Sequence, residues 1–169
     1  MIRKFISKVF SKSRPAAAQH VEPRIIPEKK HGIRHNQISS CAIKVTAELQ
    51  RAGHAAFVVG GAVRDLLLDK APKDYDVATD ATPEQVHALF RRSRIIGRRF
   101  RLVHVMCGPE TIEVSTFRGP AASAEDEDEE DFRKARHATS ENGRILRDNV
   151  FGSQVEDALR RDFTVNALF

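Results

Sequence analysis

Residues 60–79 read GGAVRDLLLDKAPKDYDVAT, and this stretch decides the fold expected of the chain. It follows a short apolar run that predicts a strand. The Gly60-Gly61 turn then opens a helix predicted over residues 62–68, and a second strand is predicted over residues 74–79. A glycine turn between a strand and a helix, followed by a strand with Asp-x-Asp, predicts a phosphate site beside a metal site.

The Asp-x-Asp motif supplies the candidate metal ligands. Residues two apart on a strand share a face, so the carboxylates of Asp74 and Asp76 are expected to project side by side. Like charges held close together repel, and Mg²⁺, which prefers carboxylates together with substrate phosphates, is a suitable compensation. A lone Asp-x-Asp is common on solvated loops, but the adjoining Val77-Ala78 predicts a half-buried strand.

Glu113 adds a carboxylate to an apolar strand predicted over residues 111–117. A buried, unpaired carboxylate is costly, so this side chain needs an explanation. Three explanations stay open: it completes the metal site, it faces water on an edge strand, or it forms an ion pair with Arg118.

The Gly60-Gly61 turn is the candidate phosphate site. Glycines let the backbone approach a phosphate closely, and the start of the following helix favours negative charge. Arg64, near the start of that helix, can bind the same anion with its planar guanidinium. Taken alone, the two glycines are better explained by a turn that requires positive φ.

The rest of the chain predicts one domain between two atypical segments. The 169 residues carry a net charge of +5, which suits a polyanionic partner. Residues 1–35 form a basic, proline-interrupted extension expected to be flexible, with a short amphipathic helix on a membrane surface or RNA as the alternative. The folded head is expected over residues 36–169, with a mobile loop at 121–143 that contains the acidic run 125–131.

Further elements follow from apolar spacing and from capping residues. Thr82 is a candidate N-cap with Pro83 in the first helical turn. The remaining predictions are helices over residues 38–52 and 154–169 and strands over residues 55–59, 99–107 and 111–117.

The two cysteines form no CxxC pair. Their spacing argues against a disulfide framework or structural zinc and favours a reducing, cytoplasmic location.

Three segments together resemble the class II nucleotidyltransferases, the family of bacterial poly(A) polymerases and CCA-adding enzymes. They are residues 60–68 (GGAVRDLLL), 73–79 (KDYDVAT) and 160–168 (RRDFTVNAL). Residues 97–105 (GRRFRLVHV) and 146–153 (LRDNVFGS) look like the poly(A) polymerase branch. The acidic run is not typical of the family. The C-terminal apolar pattern is expected to continue into a longer chain.

The resemblance implies an α/β head of the polymerase-β type, with a mixed, mostly antiparallel sheet and helices on one side. The strand bearing the Asp pair is expected at its centre. The implied reaction is transfer of AMP from ATP to RNA 3′ ends, with two Mg²⁺ ions and release of pyrophosphate. Asp74, Asp76 and either Glu113 or Asp162 are the implied catalytic acids. The implied nucleotide-binding residues are Gly60, Gly61, Arg64, Asp65, Arg161 and Asn166.

Competing interpretations use the same residues differently. The first alternative is a CCA-adding or A-adding enzyme acting on tRNA. The second is an inactive fragment that binds nucleotide or RNA, because the base-selecting neck and RNA-gripping body implied by the resemblance lie beyond this chain. A small-molecule nucleotidyltransferase ranks last, since it does not predict Arg161-Asp162-Phe163-Thr164. No obligate protein partner is indicated.

Overall fold

The computed structural model describes residues 22–98, 100–119 and 151–169. Most of the basic N-terminal extension, the predicted mobile loop and the acidic run lie outside these residues. The described part of the extension, residues 22–35, is mostly exposed and includes a single helical turn. The division of the chain at residue 35 therefore stays a prediction.

Five helices and five strands alternate along the described residues. Two 3₁₀ helices, at His35–Gln37 and Thr164–Asn166, complete the set. The helices are α1 (Glu28–His31), α2 (Ser40–Arg51), α3 (Gly61–Leu67), α4 (Pro83–Leu89) and α5 (Gln154–Leu159). The strands are β1 (Ala56–Val59), β2 (Asp76–Thr79), β3 (Ser93–Ile96), β4 (Leu102–Cys107) and β5 (Glu110–Thr116).

The strands form one sheet in the order β1-β2-β5-β4-β3. Only β2 and β5 pair in parallel, and the other neighbours are antiparallel. This confirms the predicted α/β fold with a mixed, mostly antiparallel sheet. The prediction that the Asp-bearing strand is central is wrong, because β2 lies second in the sheet and the central strand is β5.

Local capping explains where the two helices behind the sheet begin. The Ser39 hydroxyl accepts hydrogen bonds from the first turn of α2. Thr82 and Gln85 form a reciprocal capping box at the start of α4, with Pro83 in its first turn as predicted. These contacts satisfy backbone N–H groups that have no partner within the helix.

The main core lies between one face of the sheet and helices α2 and α4, and a smaller cluster of Val59, Ala78 and Phe117, with Phe169 packed against it, lies on the other face. Apolar residues of α2, including Val45 and Leu49, pack with the alternate residues Val77, Val103 and Val114 of the strands. Because strand side chains alternate between faces, the intervening residues project to the opposite face. That opposite face is where the predicted acids of β2 and β5 lie.

The C-terminal helix predicted over residues 154–169 is wrong in its length. Helix α5 ends at Leu159, and the next residues turn toward a 3₁₀ helix. Of the predicted apolar residues, Leu159 and Phe163 are exposed (61% and 67%), whereas Asp157 is 1% exposed. The side chain that this segment buries is therefore a carboxylate paired with the two following arginines, and not an apolar stripe.

Two further features of the fold differ from the sequence predictions. The edge strand β3 was not predicted, and it pairs with β4. Cys41 and Cys107 form a disulfide, contrary to the expectation drawn from their spacing. The first turn of α2 packs against the end of β4, which brings the two Cα atoms to 5.8 Å although 66 positions separate them in the chain. No helix among the described residues is long and apolar enough to cross a membrane.

Candidate functional site

Val59 and three polar side chains form one row across the face of the sheet opposite the main core. Val59 pairs with Asp76, Asp76 pairs with Glu113, and Glu113 pairs with His104 on the next strand. Directly paired residues point to the same face, so Asp76, Glu113 and His104 are neighbours. His104 Nε2 lies 3.4 Å from Glu113 Oε2. Of the three explanations for Glu113, the structure supports a place beside the Asp motif, and it shows that β5 is not an edge strand.

Asp74 reaches this group from outside the sheet. Strand β2 begins at Asp76, so the predicted strand over residues 74–79 is two residues too long and its alternation does not apply to Asp74. Asp74 is nevertheless only two residues from Asp76 in the chain, and its negative charge contributes to the raised pKa of Asp76.

The electrostatic environment of Asp76 reflects crowding by like charges. Limited solvation of its carboxyl group raises the pKa of Asp76, and the negative charges of Glu113 and Asp74 raise it further. The positive charge of Arg161 partly opposes this shift. The side chain still has access to solvent. The pKa of Asp76 thus depends on the charges of two further acids, Glu113 and Asp74, and of one arginine, Arg161.

These acids fit a hard divalent cation. All their donors are oxygens, and their mutual repulsion, seen in the pKa of Asp76, is what a bound cation relieves. Within the described residues, no group of three or more His, Cys, Asp or Glu side chains is arranged to hold a metal ion. Mg²⁺ does not need such a group, because one or two carboxylates together with substrate phosphates suffice.

The glycine turn lies at the same edge of the sheet as the acids. Val59, the partner of Asp76, is followed directly by Gly60 with φ 69° and ψ −128°, which is a conformation for glycine only. The Gly60 N–H donates to the Leu168 carbonyl at 2.9 Å. A Cβ atom at Gly60 would lie 3.4 Å from Arg161 Nη1. The C-terminal segment thus packs directly on the turn.

A hydrogen-bonded group of arginines stands beside the turn. Arg64 donates from Nε to Asp65 Oδ1 at 2.8 Å and from Nη1 to Asn166 Oδ1 at 3.0 Å. Arg161 Nη1 donates to the Asn166 carbonyl at 3.2 Å. The structure therefore brings together residues that are 102 positions apart in the chain, and it places the guanidinium groups of Arg64 and Arg161 on either side of Asn166 beside the glycine turn.

Asp162 differs from the other predicted acids in its surroundings. Its side chain is exposed, and it makes no hydrogen bond or ion pair within the described residues. Sequence reasoning also missed two participants, His104 and the buried Asp157. The spacing of Asp157 from Arg160 and Arg161, three and four positions, is the usual spacing of helical ion pairs and was the available signal for Asp157.

Comparisons with known proteins agree on one family. The model of the poly A polymerase head domain matches residues 56–169. Poly(A) polymerase I of Salmonella typhi and that of Escherichia coli are each 50% identical over 99% of this chain, which spans 36% of their length. The CCA-adding enzyme of Bacillus subtilis is 38% identical over 75% of this chain and 28% of its own length.

Solved structures give the same result for the fold. The Bacillus stearothermophilus CCA-adding enzyme in complex with CTP is 34% identical, with a TM-score of 0.52, over 75% of this chain and 26% of that protein. An apo form of a CCA-adding enzyme superposes with a TM-score of 0.56 at 20% identity, over 78% of this chain and 29% of that protein. The second likeness concerns the fold alone.

Proposed function

The chain belongs to the poly(A) polymerase head-domain family, and on that premise we propose that it forms the catalytic head of an enzyme that adds AMP from ATP to RNA 3′ ends. One observation supports this most directly. Asp76 pairs with Glu113 in the sheet, and its pKa responds to the charges of Asp74 and Arg161. A cluster of acids with an arginine within electrostatic reach suits divalent cations, a triphosphate and the hydroxyl that attacks it.

The acids divide into two proposed roles. Asp74 and Asp76 would hold two Mg²⁺ ions, which would supply a lower pKa for the attacking 3′-hydroxyl and charge neutralisation at the leaving oxygens. Glu113 or Asp162 is the third catalytic acid. Glu113 is supported by its pairing with Asp76, and Asp162 by its exposed carboxylate, which is accessible to substrate.

The nucleotide is proposed to lie on the glycine turn. Gly60 and Gly61 offer backbone without side chains, so a phosphate can approach closely. Arg64 and Arg161 neutralise the triphosphate with planar guanidinium groups, which suit phosphate oxygens. Asn166 and Asp65 orient Arg64 through the hydrogen bonds already described.

The choice of ATP and of RNA substrate is proposed from the relatives. Identity to the poly(A) polymerases reaches 50% over nearly the whole chain, against 38% over three quarters of it for a CCA-adding enzyme. Addition of CCA or A to tRNA is the alternative, and an inactive fragment that binds nucleotide or RNA is the second. We propose a cytoplasmic location from the kinship with the poly(A) polymerases, since the Cys41–Cys107 disulfide removes the argument from cysteine spacing. We propose that the basic extension, residues 1–35, makes weak contact with RNA or a membrane surface.

An extension assay tests the proposed function. The full-length protein containing this chain is incubated with Mg²⁺, a labelled generic RNA or a tRNA lacking its 3′ CCA, and either ATP alone or ATP with CTP. We expect long A tails on the generic RNA. Addition confined to tRNA and ending after CCA would favour the first alternative, and ATP binding without any transfer would favour the second.

A pair of variants identifies the third acid. We expect Glu113→Gln to lower kcat by roughly a hundredfold or more, because Glu113 shares the electrostatic site of Asp76. Asp162→Asn, which changes an exposed carboxylate, is measured beside it with the same RNA and ATP. If Asp162→Asn shows the larger loss and Glu113→Gln turns over normally, the third acid is Asp162.

A further inference from the structure

Asp157 is a buried charge that the proposed chemistry does not use. Among the residues that the structure describes, Asp157 is the one charged residue that is buried, with a relative exposure of 1%. It lies in helix α5, three and four positions before Arg160 and Arg161. Burying a carboxylate costs free energy of folding unless the group is paired and hydrogen-bonded. The partners of Asp157 should therefore show why a charged residue is buried here.

The two oxygens of Asp157 have different partners. Oδ1 accepts from the Arg118 backbone N–H at 3.2 Å and from Arg160 Nε and Nη2 at 3.0 and 2.7 Å. Oδ2 accepts from Arg161 Nη2 at 2.9 Å. Burial alone raises the pKa of Asp157, but the hydrogen bonds from Arg161, Arg160 and the Arg118 N–H outweigh it and hold the pKa below its ordinary value. The group is therefore an anion at neutral pH.

Arg161 connects this buried anion to the nucleotide site. While Nη2 binds Asp157, Nη1 donates to the Asn166 carbonyl and packs over Gly60. The guanidinium group also lies 5.1 Å from the ring centre of Phe169. Each end of the planar group is thus fixed by a separate partner. Its charge acts on Asp76, at the centre of the acid cluster.

We propose that Asp157 is a positioning residue for nucleotide binding, which holds the Arg161 guanidinium in place over the Gly60 turn. The inference rests on the proposed function, because it assigns Arg161 to the triphosphate. Arg160 contacts the same carboxylate through the other oxygen, and the structure shows no contact between Arg160 and the glycine turn. The two arginines are therefore distinguishable by experiment.

A stabilising role alone explains the arrangement less well. A buried ion pair can often be replaced by apolar residues of similar volume without loss of stability, so stability alone does not require charged residues at these positions. Arg161 Nε is also buried and lacks a hydrogen-bond partner within the described residues, which adds a further cost. What the arrangement does provide is one fixed orientation of Arg161.

The test compares Asp157→Asn with Arg160→Gln in the full-length protein. The Kd for ATP is measured by calorimetry, and KM for ATP and kcat are measured in the extension assay. Asp157→Asn keeps the size of the side chain but loses the charge that holds Arg161. We expect its Kd and KM for ATP to rise roughly tenfold, with a smaller change in kcat. Arg160→Gln is expected to stay within about twofold of the unmodified protein.

A double variant and a second single variant complete the test. If Asp157 acts through Arg161, adding Asp157→Asn to Arg161→Lys raises Kd no further than Arg161→Lys alone. Arg161→Lys itself keeps the charge but cannot bind Asp157 and Asn166 through separate nitrogens. It should therefore weaken ATP binding even if Asp157→Asn does not fold.

The outcomes separate this inference from the proposed function. An unmodified full-length protein that folds but transfers no AMP contradicts the proposed function, while the ATP Kd values still decide the role of Asp157. An ATP Kd unchanged in folded Asp157→Asn, additive effects in the double variant, or normal ATP binding by Arg161→Lys would each overturn the inference.

Discussion

Replacing Asp76 with asparagine is expected to abolish nucleotidyl transfer while making the folded protein more stable. The loss of activity should be roughly a thousandfold or more, because the variant removes one of the two carboxylates proposed to hold both Mg²⁺ ions. The change keeps the size of the side chain. It also leaves the β2 backbone pairing intact, since the partners of Asp76 in the sheet are backbone groups.

The gain in stability follows from the crowding of charges. The pKa of Asp76 is raised above its ordinary value of 3.8, so the ionised carboxylate is less favourable in the folded than in the unfolded chain. This cost is fully present at pH values above the folded pKa and disappears as the pH falls below 3.8. The stability difference between Asp76→Asn and the unmodified protein should therefore be positive at neutral pH and vanish in acid.

Thermal unfolding with and without Mg²⁺ measures this prediction. The unmodified protein should gain Tm on addition of Mg²⁺, because a ligand that binds only the folded state stabilises it, and Asp76→Asn should gain much less. Asp69→Asn is a suitable control, since it removes an exposed carboxylate at a position with φ 55° that asparagine tolerates. Transfer by Asp76→Asn within tenfold of the control would contradict the metal assignment.

The sequence predicted the elements whose formation depends on neighbouring residues. Helix α4 begins at Pro83 because Thr82 and Gln85 cap it, and both residues are visible in the sequence. Strand β5 alternates between core residues such as Ile112 and Val114 and the site residue Glu113. Such short-range patterns are legible without knowledge of the fold.

Features that depend on distant partners could not be predicted in the same way. Strand β3 has no clear alternation of burial, and it forms because β4 offers an edge for pairing. The disulfide depends on the packing of α2 against β4. Asp157 was not singled out in the sequence, because its burial depends on the packing of the C-terminal segment beside the end of β5.

The candidate site was predictable in its residues but not in its geometry. Asp76, Glu113, Arg64 and Asn166 were all identified by type and by family resemblance. Their assembly depends on the parallel pairing of β2 with β5 and on the return of the C-terminal segment to the glycine turn. Asp74 illustrates the difference. It was predicted to lie beside Asp76 because residues two apart on a strand share a face. Its charge does act on Asp76, but strand β2 begins only at Asp76, so the stated reason does not apply.

Gly60→Ala is expected to destabilise the protein by about 1–3 kcal/mol and to weaken nucleotide binding as well. The position combines φ 69° with ψ −128°, a region that residues with a Cβ atom rarely adopt. The added methyl group would itself make ordinary contacts, at 3.4 Å from Arg161 Nη1 and 3.6 Å from the Asn166 carbonyl oxygen. The cost therefore arises from the backbone rather than from a clash.

Relief of that backbone strain explains why binding should suffer too. If the turn relaxes toward an allowed conformation, the Gly60 N–H moves away from the Leu168 carbonyl, and the contact between the turn and Arg161 changes. Gly53→Ala provides the matched control. Gly53 has φ 91° but no neighbouring atom within 4 Å of an added Cβ, so this variant should lose stability and keep its KM for ATP. Chemical denaturation and KM measured on both variants distinguish the two effects, and an unchanged KM in Gly60→Ala would place the triphosphate away from this turn.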